Sequence, residues 1–204
     1  MASVTDLNQS LLTNIEVAEF LRDIIAYEVP FLGVLPLNDV PLSRVLSQKH
    51  WLVILNLDQC FEAGSHFVVL CRNPDGRVFF FDSAALPMLP AKLVSLVSQV
   101  EEAAGRKAWC MKKPIQPYES KACGYFCIYF TLMWHLCDTS YDDMNFVFES
   151  MAQRRNLKDN EVLVYKKIRM LIALYVAKKT AHLRSLRLFD LPIFPKLDCK
   201  HPNQ

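Results

Sequence analysis

Four side chains stand in a suggestive order along this chain: an imidazole at His66, a carboxylate at Asp82, an amide at Gln116 and a thiol at Cys123. A thiol becomes a strong nucleophile when an imidazole takes its proton, and a carboxylate on the far ring nitrogen fixes that imidazole's tautomer and stabilises its cation. An amide N–H can hold the oxyanion that forms when the sulfur attacks a carbonyl. The four types are therefore the parts of a covalent acyl-transfer site, provided the fold brings them together.

His66 heads the stretch HFVVLCRNPDGRVFFFD. Residues 66–72 and 78–82 are short apolar runs separated by Asn73-Pro74-Asp75-Gly76, a strong turn signal, and together they read as an antiparallel hairpin. With the turn centred between Pro74 and Asp75, partner numbers sum to about 149, which sets His66 opposite Asp82 or Ser83 at the open end. A second histidine, His50, opens the run WLVILNL, but Asp58 follows too far along the strand to reach its ring. His50 therefore reads as a surface residue at a strand entrance.

The uncharged run from Ala122 to Cys137 is too long for an ordinary strand and reads as a helix buried on nearly all sides. Cys123 stands at its start, where unpaired backbone N–H groups and the positive end of the helix favour a thiolate. Gly124 behind it lets the backbone approach a bound carbonyl. Gln116, between Pro114 and Pro117, belongs to a loop leading back to that helix start, from which its NH₂ and the Cys123 N–H could share an oxyanion. Taken singly, each residue also has a plainer reading. His66 could be a strand-end histidine, Asp82 a turn residue and Gln116 an ordinary loop residue, while a cysteine in an apolar run is commonly a small buried hydrophobe, as Cys127 and Cys137 are read.

The blocks around these residues resemble the adenovirus proteinase family, also called adenain. They are the early Pro-Phe-Leu-Gly at 30–33 after an N-terminal helix, Gly-x-His at a strand start, Asn-Pro at that strand's end, an acidic residue closing the next strand, and Gln-x₆-Cys-Gly-x-Phe-Cys ending at Cys127. The resemblance implies a cysteine endopeptidase with His66, Asp82 and Cys123 as its triad and Gln116 as oxyanion donor. It implies viral precursor proteins as substrates, cut at Gly-containing sites during virion maturation in the virion and the host nucleus. It also implies an activating viral peptide held through a cysteine, for which Cys110 is the nearest candidate, and DNA as a cofactor. Phe67 stands where the family usually has Trp, Asp82 where it commonly has Glu, and Cys110 lies closer to Gln116 than the family's cysteine does.

The net charge of +2 conceals an asymmetry, because residues 151–204 hold twelve Lys or Arg against four Asp or Glu, whereas residues 1–150 hold eleven against seventeen. Within the basic part, Lys167 and Lys178 lie eleven residues apart, about three helical turns, and so share a face that Arg154, Arg155, Arg184 and Arg187 could extend. Such a patch can hold a phosphate backbone by salt-sensitive contacts, and it can equally be a solvated face balancing an acidic half. Resemblance to the proteinase family favours DNA.

With 204 residues, 52% of them apolar, the chain suffices for one domain, residues 1–204, with a basic helical subregion at 151–204. The N-terminus lacks the features of a signal peptide, and no apolar run reaches the roughly 20 residues of a membrane span. Seven cysteines without a metal-ligand spacing fit free thiols in a reducing compartment and no metal. A capping box at Thr13-x-x-Glu16 opens a helix to about Ala26; strands are predicted near 51–57, 66–72, 78–82 and 108–112, and helices near 92–103, 123–137, 142–156 and 160–180. The expected class is α+β, a mixed sheet packed on the helix that carries Cys123. Two other functions fit the same residues: an isopeptidase that removes ubiquitin-like modifiers, and a DNA-binding virion protein on a lapsed protease fold.

Overall fold

The computed structural model describes residues 13–25, 31–57, 66–136 and 141–180. Five strands form one mixed sheet in sequential order: β1 (Phe31–Pro36), β2 (Trp51–Asn56), β3 (Phe67–Arg72), β4 (Val78–Phe81) and β5 (Trp109–Cys110). β1 lies parallel to β2, β2–β3 and β3–β4 are antiparallel, and β5 returns parallel to β4. The helices are α1 (Asn14–Ile25), α2 (Leu42–Ser47), α3 (Ala91–Ala104), α4 (Cys123–Leu136), α5 (Tyr141–Ala152) and α6 (Lys158–Thr180). The class is α+β, as expected from strands in the middle of the chain with helices before and after.

β2 is buried along its whole length, so its sequence WLVILN shows no polar alternation; both faces of a central strand meet a core. Successive side chains divide between those cores. Leu52, Ile54, Phe67, Val69, Phe79 and Phe81 face one side, where helices α1, α4, α5 and α6 cover them. Trp51, Val53, Leu55, Val68, Leu70 and Phe80 face the other, closed by residues of α2 and α3. Helix α4 is buried from Cys123 through Met133, which accounts for the uniformly apolar run. The capping box forms as expected: the Thr13 N–H donates to Glu16 Oε2 at 2.8 Å, and the Glu16 N–H donates to Thr13 Oγ1 at 3.2 Å.

The hairpin is present, with a register one residue away from the expected one. Pairs such as Leu70 with Phe80 and Arg72 with Val78 sum to 150, and Asn73 and Arg77 close the turn. Gly76 has φ +83° and supplies the extra left-handed residue of a three-residue loop, which moves the centre onto Asp75. Extending this register sets His66 diagonally across from Asp82. Trp134 of α4 ties the turn down, its Nε1 donating to Asn73 Oδ1 at 2.7 Å.

Strand β1 and the short α2 were not foreseen in the sequence, and β5 covers only two of the five residues predicted as a strand near 108–112. β1 contains Gly33 with φ +112° and ends at Pro36, and its pairing with β2 slips between Phe31 and Val34. A strand broken in that way lacks the period-2 pattern by which strands are read. Among the described residues no helix is long and apolar enough to cross a membrane, and none of their side chains cluster as metal ligands.

Candidate active site

Two elements meet at the site: the open end of the β3–β4 hairpin and the first turn of α4. His66 immediately precedes β3, Asp82 immediately follows β4, and Cys123 is the first residue of α4. His66 Nε2 lies 2.7 Å from Asp82 Oδ1 in a buried contact. The Cys123 side chain lies close enough to the same ring to act on its charge. With Nε2 taken by the carboxylate, Nδ1 is the nitrogen left for sulfur.

The electrostatics follow from this geometry. Burial alone pushes the imidazolium of His66 down, but the hydrogen bonds and negative charge of Asp82 and Cys123 outweigh it and raise His66 to about 9. Burial opposes the charge on Asp82 too. The bond and charge of His66, with the N–H groups of Leu86 and Ala84, nevertheless hold its carboxyl below the usual range. Those N–H groups come from a tight turn: Ala84 N donates to Oδ1 and Leu86 N to Oδ2, each at 2.9 Å. Ala85, between them, has φ +45°, a left-handed conformation uncommon outside glycine. A charged pair is thereby favoured in a nearly closed site, where Cys123 is 2% and His66 8% exposed.

Gln116 is buried on the loop before α4, and its Oε1 accepts from Ser83 Oγ at 2.9 Å. The N–H groups of Ile115 and Gln116 both donate to the Ser83 carbonyl, at 2.9 and 3.3 Å. From the opposite side, the buried Asn160 of α6 donates through Nδ2 to the Ile115 carbonyl at 2.8 Å and to that of Met151 at 3.0 Å. The sequence reading named Ser83 only as a register position opposite His66, without a role toward Gln116, and it did not name Asn160, which carried no signal. A cavity of about 290 Å³, lined by Glu119, Lys121, Ala122, Lys158, Glu161 and Tyr165 among others, runs along the same loop up to the residue preceding Cys123.

His50 is half-buried and packs on Trp134 with ring centroids 5.0 Å apart, so it is a packing residue more than a surface one; burial lowers its pKa. Cys127 is fully buried, and burial together with the neighbouring negative charges keeps its thiol protonated. Cys110 is a free thiol on the edge strand β5, raised by burial and by the charge of Glu101. Lys167 is half-buried in α6, and burial lowers its pKa. Lys178 lies near the end of α6 with its side chain outside the described residues, as are Arg184, Arg187 and Cys137. Arg154 and Arg155 are exposed between α5 and α6.

A search of solved structures sets this arrangement beside a known fold. The chain's fold is similar to that of the ASFV pS273R protease. That crystal structure superposes with a TM-score of 0.53 over 79% of this chain and 67% of its own, at 19% identity. The central domain of the uncharacterized Lpg1148 protein from Legionella pneumophila aligns over 70% of this chain at 15% identity, with a TM-score of 0.40. No family model matches the sequence, and no curated protein matches it.

Proposed function

We propose that this chain is a cysteine endopeptidase in which Cys123 is the nucleophile, His66 its base, Asp82 the group that orients His66, and Gln116 an oxyanion donor. The observation that carries the reading is the buried imidazole held by Asp82 at 2.7 Å, with the Cys123 side chain close enough to act on its charge. The fold likeness to the ASFV pS273R protease supports it, as does the resemblance of the motifs to the adenain family.

In this mechanism the Cys123 thiolate attacks the scissile carbonyl carbon, forming a C–S bond while the carbonyl electron pair moves to oxygen. The Cys123 N–H and the Gln116 side-chain amide N–H hold that oxyanion. Collapse breaks the C–N bond as imidazolium at His66 gives its proton to the leaving amine. Water then attacks the thioester, His66 takes the water's proton, and the acid departs as thiolate and imidazolium are restored. Substrates are viral precursor proteins cut at Gly-containing sites, with the chain lying along the cavity beside residues 117–122.

Incubating the chain with a proteome-derived peptide library and reading new N-termini by mass spectrometry tests this. The wild type produces a defined set of cuts with Gly near the bond, and Cys123→Ala produces none. A library left intact, or cut equally by Cys123→Ala, removes the reading. Cuts confined to Gly-Gly isopeptide bonds of a labelled modifier would move it to an isopeptidase.

A further inference from the structure

Asp82 and Ser83 are consecutive, and they hold two different residues of the proposed machinery. Asp82 bonds His66, whereas Ser83 bonds Gln116 through its hydroxyl and receives the N–H groups of Ile115 and Gln116 at its carbonyl. We propose that Ser83 is a positioning residue for the oxyanion donor: its hydroxyl fixes which end of the Gln116 amide faces the reacting carbonyl. The inference rests on the endopeptidase reading above and adds to it a specific role for a side chain outside the triad.

The two ends of a glutamine amide are alike in shape and opposite in hydrogen-bonding sense. With Oε1 toward the oxyanion, Gln116 would repel the charge it is meant to stabilise. Ser83 is fully buried, and its hydroxyl hydrogen has Gln116 Oε1 as its acceptor among the described residues. Were the amide to flip, Nε2 would donate to Ser83 Oγ and the hydroxyl hydrogen would be left buried without an acceptor, an unfavourable state. The hydroxyl thus favours the orientation that frees the Nε2 hydrogens for an incoming oxygen. Asn160 reinforces the arrangement from the other side, because its bond to the Ile115 carbonyl fixes the backbone from which Gln116 projects. In Ser83→Ala, Oε1 loses its partner and neither the orientation nor the position of the amide is held, so the Nε2 hydrogens reach the oxyanion in about a tenth of the molecules or fewer.

The test compares two reactions of Cys123 in the full chain. Alkylation by chloroacetamide needs the thiolate and no oxyanion donor, whereas the nitrophenolate burst from an N-acyl-Gly-Gly 4-nitrophenyl ester needs both. Removing an oxyanion donor lowers kcat by about 10²–10³-fold, and Ser83→Ala is expected to slow acylation by about tenfold or more, with KM and the alkylation rate within about twofold of wild type. Introduced into Gln116→Ala, the same change is expected to add no further loss, since its effect passes through that amide. Acylation by Ser83→Ala at the wild-type rate, or a loss that multiplies with Gln116→Ala, overturns the proposal. Should Ser83→Ala fail to fold, Ser83→Cys keeps the volume with a weaker donor, and an undiminished burst there overturns it equally. A wild type that is alkylated at Cys123 but gives no burst overturns the endopeptidase reading itself, which separates the two failures.

Discussion

Phe81 and Phe130 stack with ring centroids 4.7 Å apart, and Phe148 closes on both, at 4.7 and 5.7 Å. Phe81 precedes Asp82, and Phe130 lies seven residues after Cys123, about two turns along the same helix. The two halves of the site are thus held together by a buried aromatic cluster one residue from the carboxylate and roughly 10 Å along the helix axis from Cys123. Apolar packing of this kind tolerates little change in volume, so the distance between imidazole and thiol is set by the core.

Truncating that cluster should therefore affect stability and chemistry together. Phe130→Ala leaves a cavity among fully buried rings and is expected to cost about 3–5 kcal/mol in denaturant unfolding. The folded fraction should also show slower alkylation of Cys123. A loss below about 1 kcal/mol would mean that the cluster does not carry this load.

His66, raised to about 9 from an ordinary 6.5, gives a pH dependence of definite sign. The folded protein binds this proton more tightly than the unfolded chain, so the stabilisation is complete below about 6.5 and fades as pH rises through about 9. Thiolate reactivity paired with imidazolium should show its alkaline change in the same window, and NMR titration of the imidazole should find it there. Asp82→Asn removes the charge that raises His66 and should move the midpoint downward. An unmoved midpoint would exclude Asp82 as the cause.

The turn after β4 offers a backbone test. Ala85 at φ +45° brings the N–H groups of Ala84 and Leu86 onto the Asp82 carboxylate. Glycine adopts this conformation without strain, so Ala85→Gly should stay within about 1 kcal/mol of wild type, strain relief offsetting chain entropy. Ala85→Val, β-branched, should destabilise by more than that and lower the His66 midpoint. Equal stability of the two variants in thermal melts would argue against strain at this residue.

Gln116→Ala should lower kcat toward peptide substrates by about 10²–10³-fold with KM little changed, because the donor acts on charge that develops only during reaction. Should KM rise while kcat holds, Gln116 contributes to ordinary substrate binding instead.

Several of these relationships were legible in the chain before any fold was known. His66 and Asp82 flank a hairpin whose turn residues announce it, and residues only sixteen apart are brought together by local structure. The Cys123 helix was legible because a charge-free run of that length has few alternatives. The register was misjudged by one residue, since Gly76 enlarges the turn. Strand β1 was invisible because Gly33 and Pro36 break its pattern, and its parallel partner arrives only after α2. The half-burial of Lys167 could not be read either, because helical spacing names a face and not what covers it.

Sequence alone determined the residue types capable of the chemistry, the hairpin that joins imidazole to carboxylate, and the helix start that carries the thiol, all consequences of short-range periodicity and turn chemistry. Tertiary structure decided whether the sulfur meets that imidazole, and it recruited Ser83 and Asn160 to the loop of Gln116 across 33 and 45 residues. Contacts so distant along the chain arise from the packing of helices on a sheet, which no local pattern encodes.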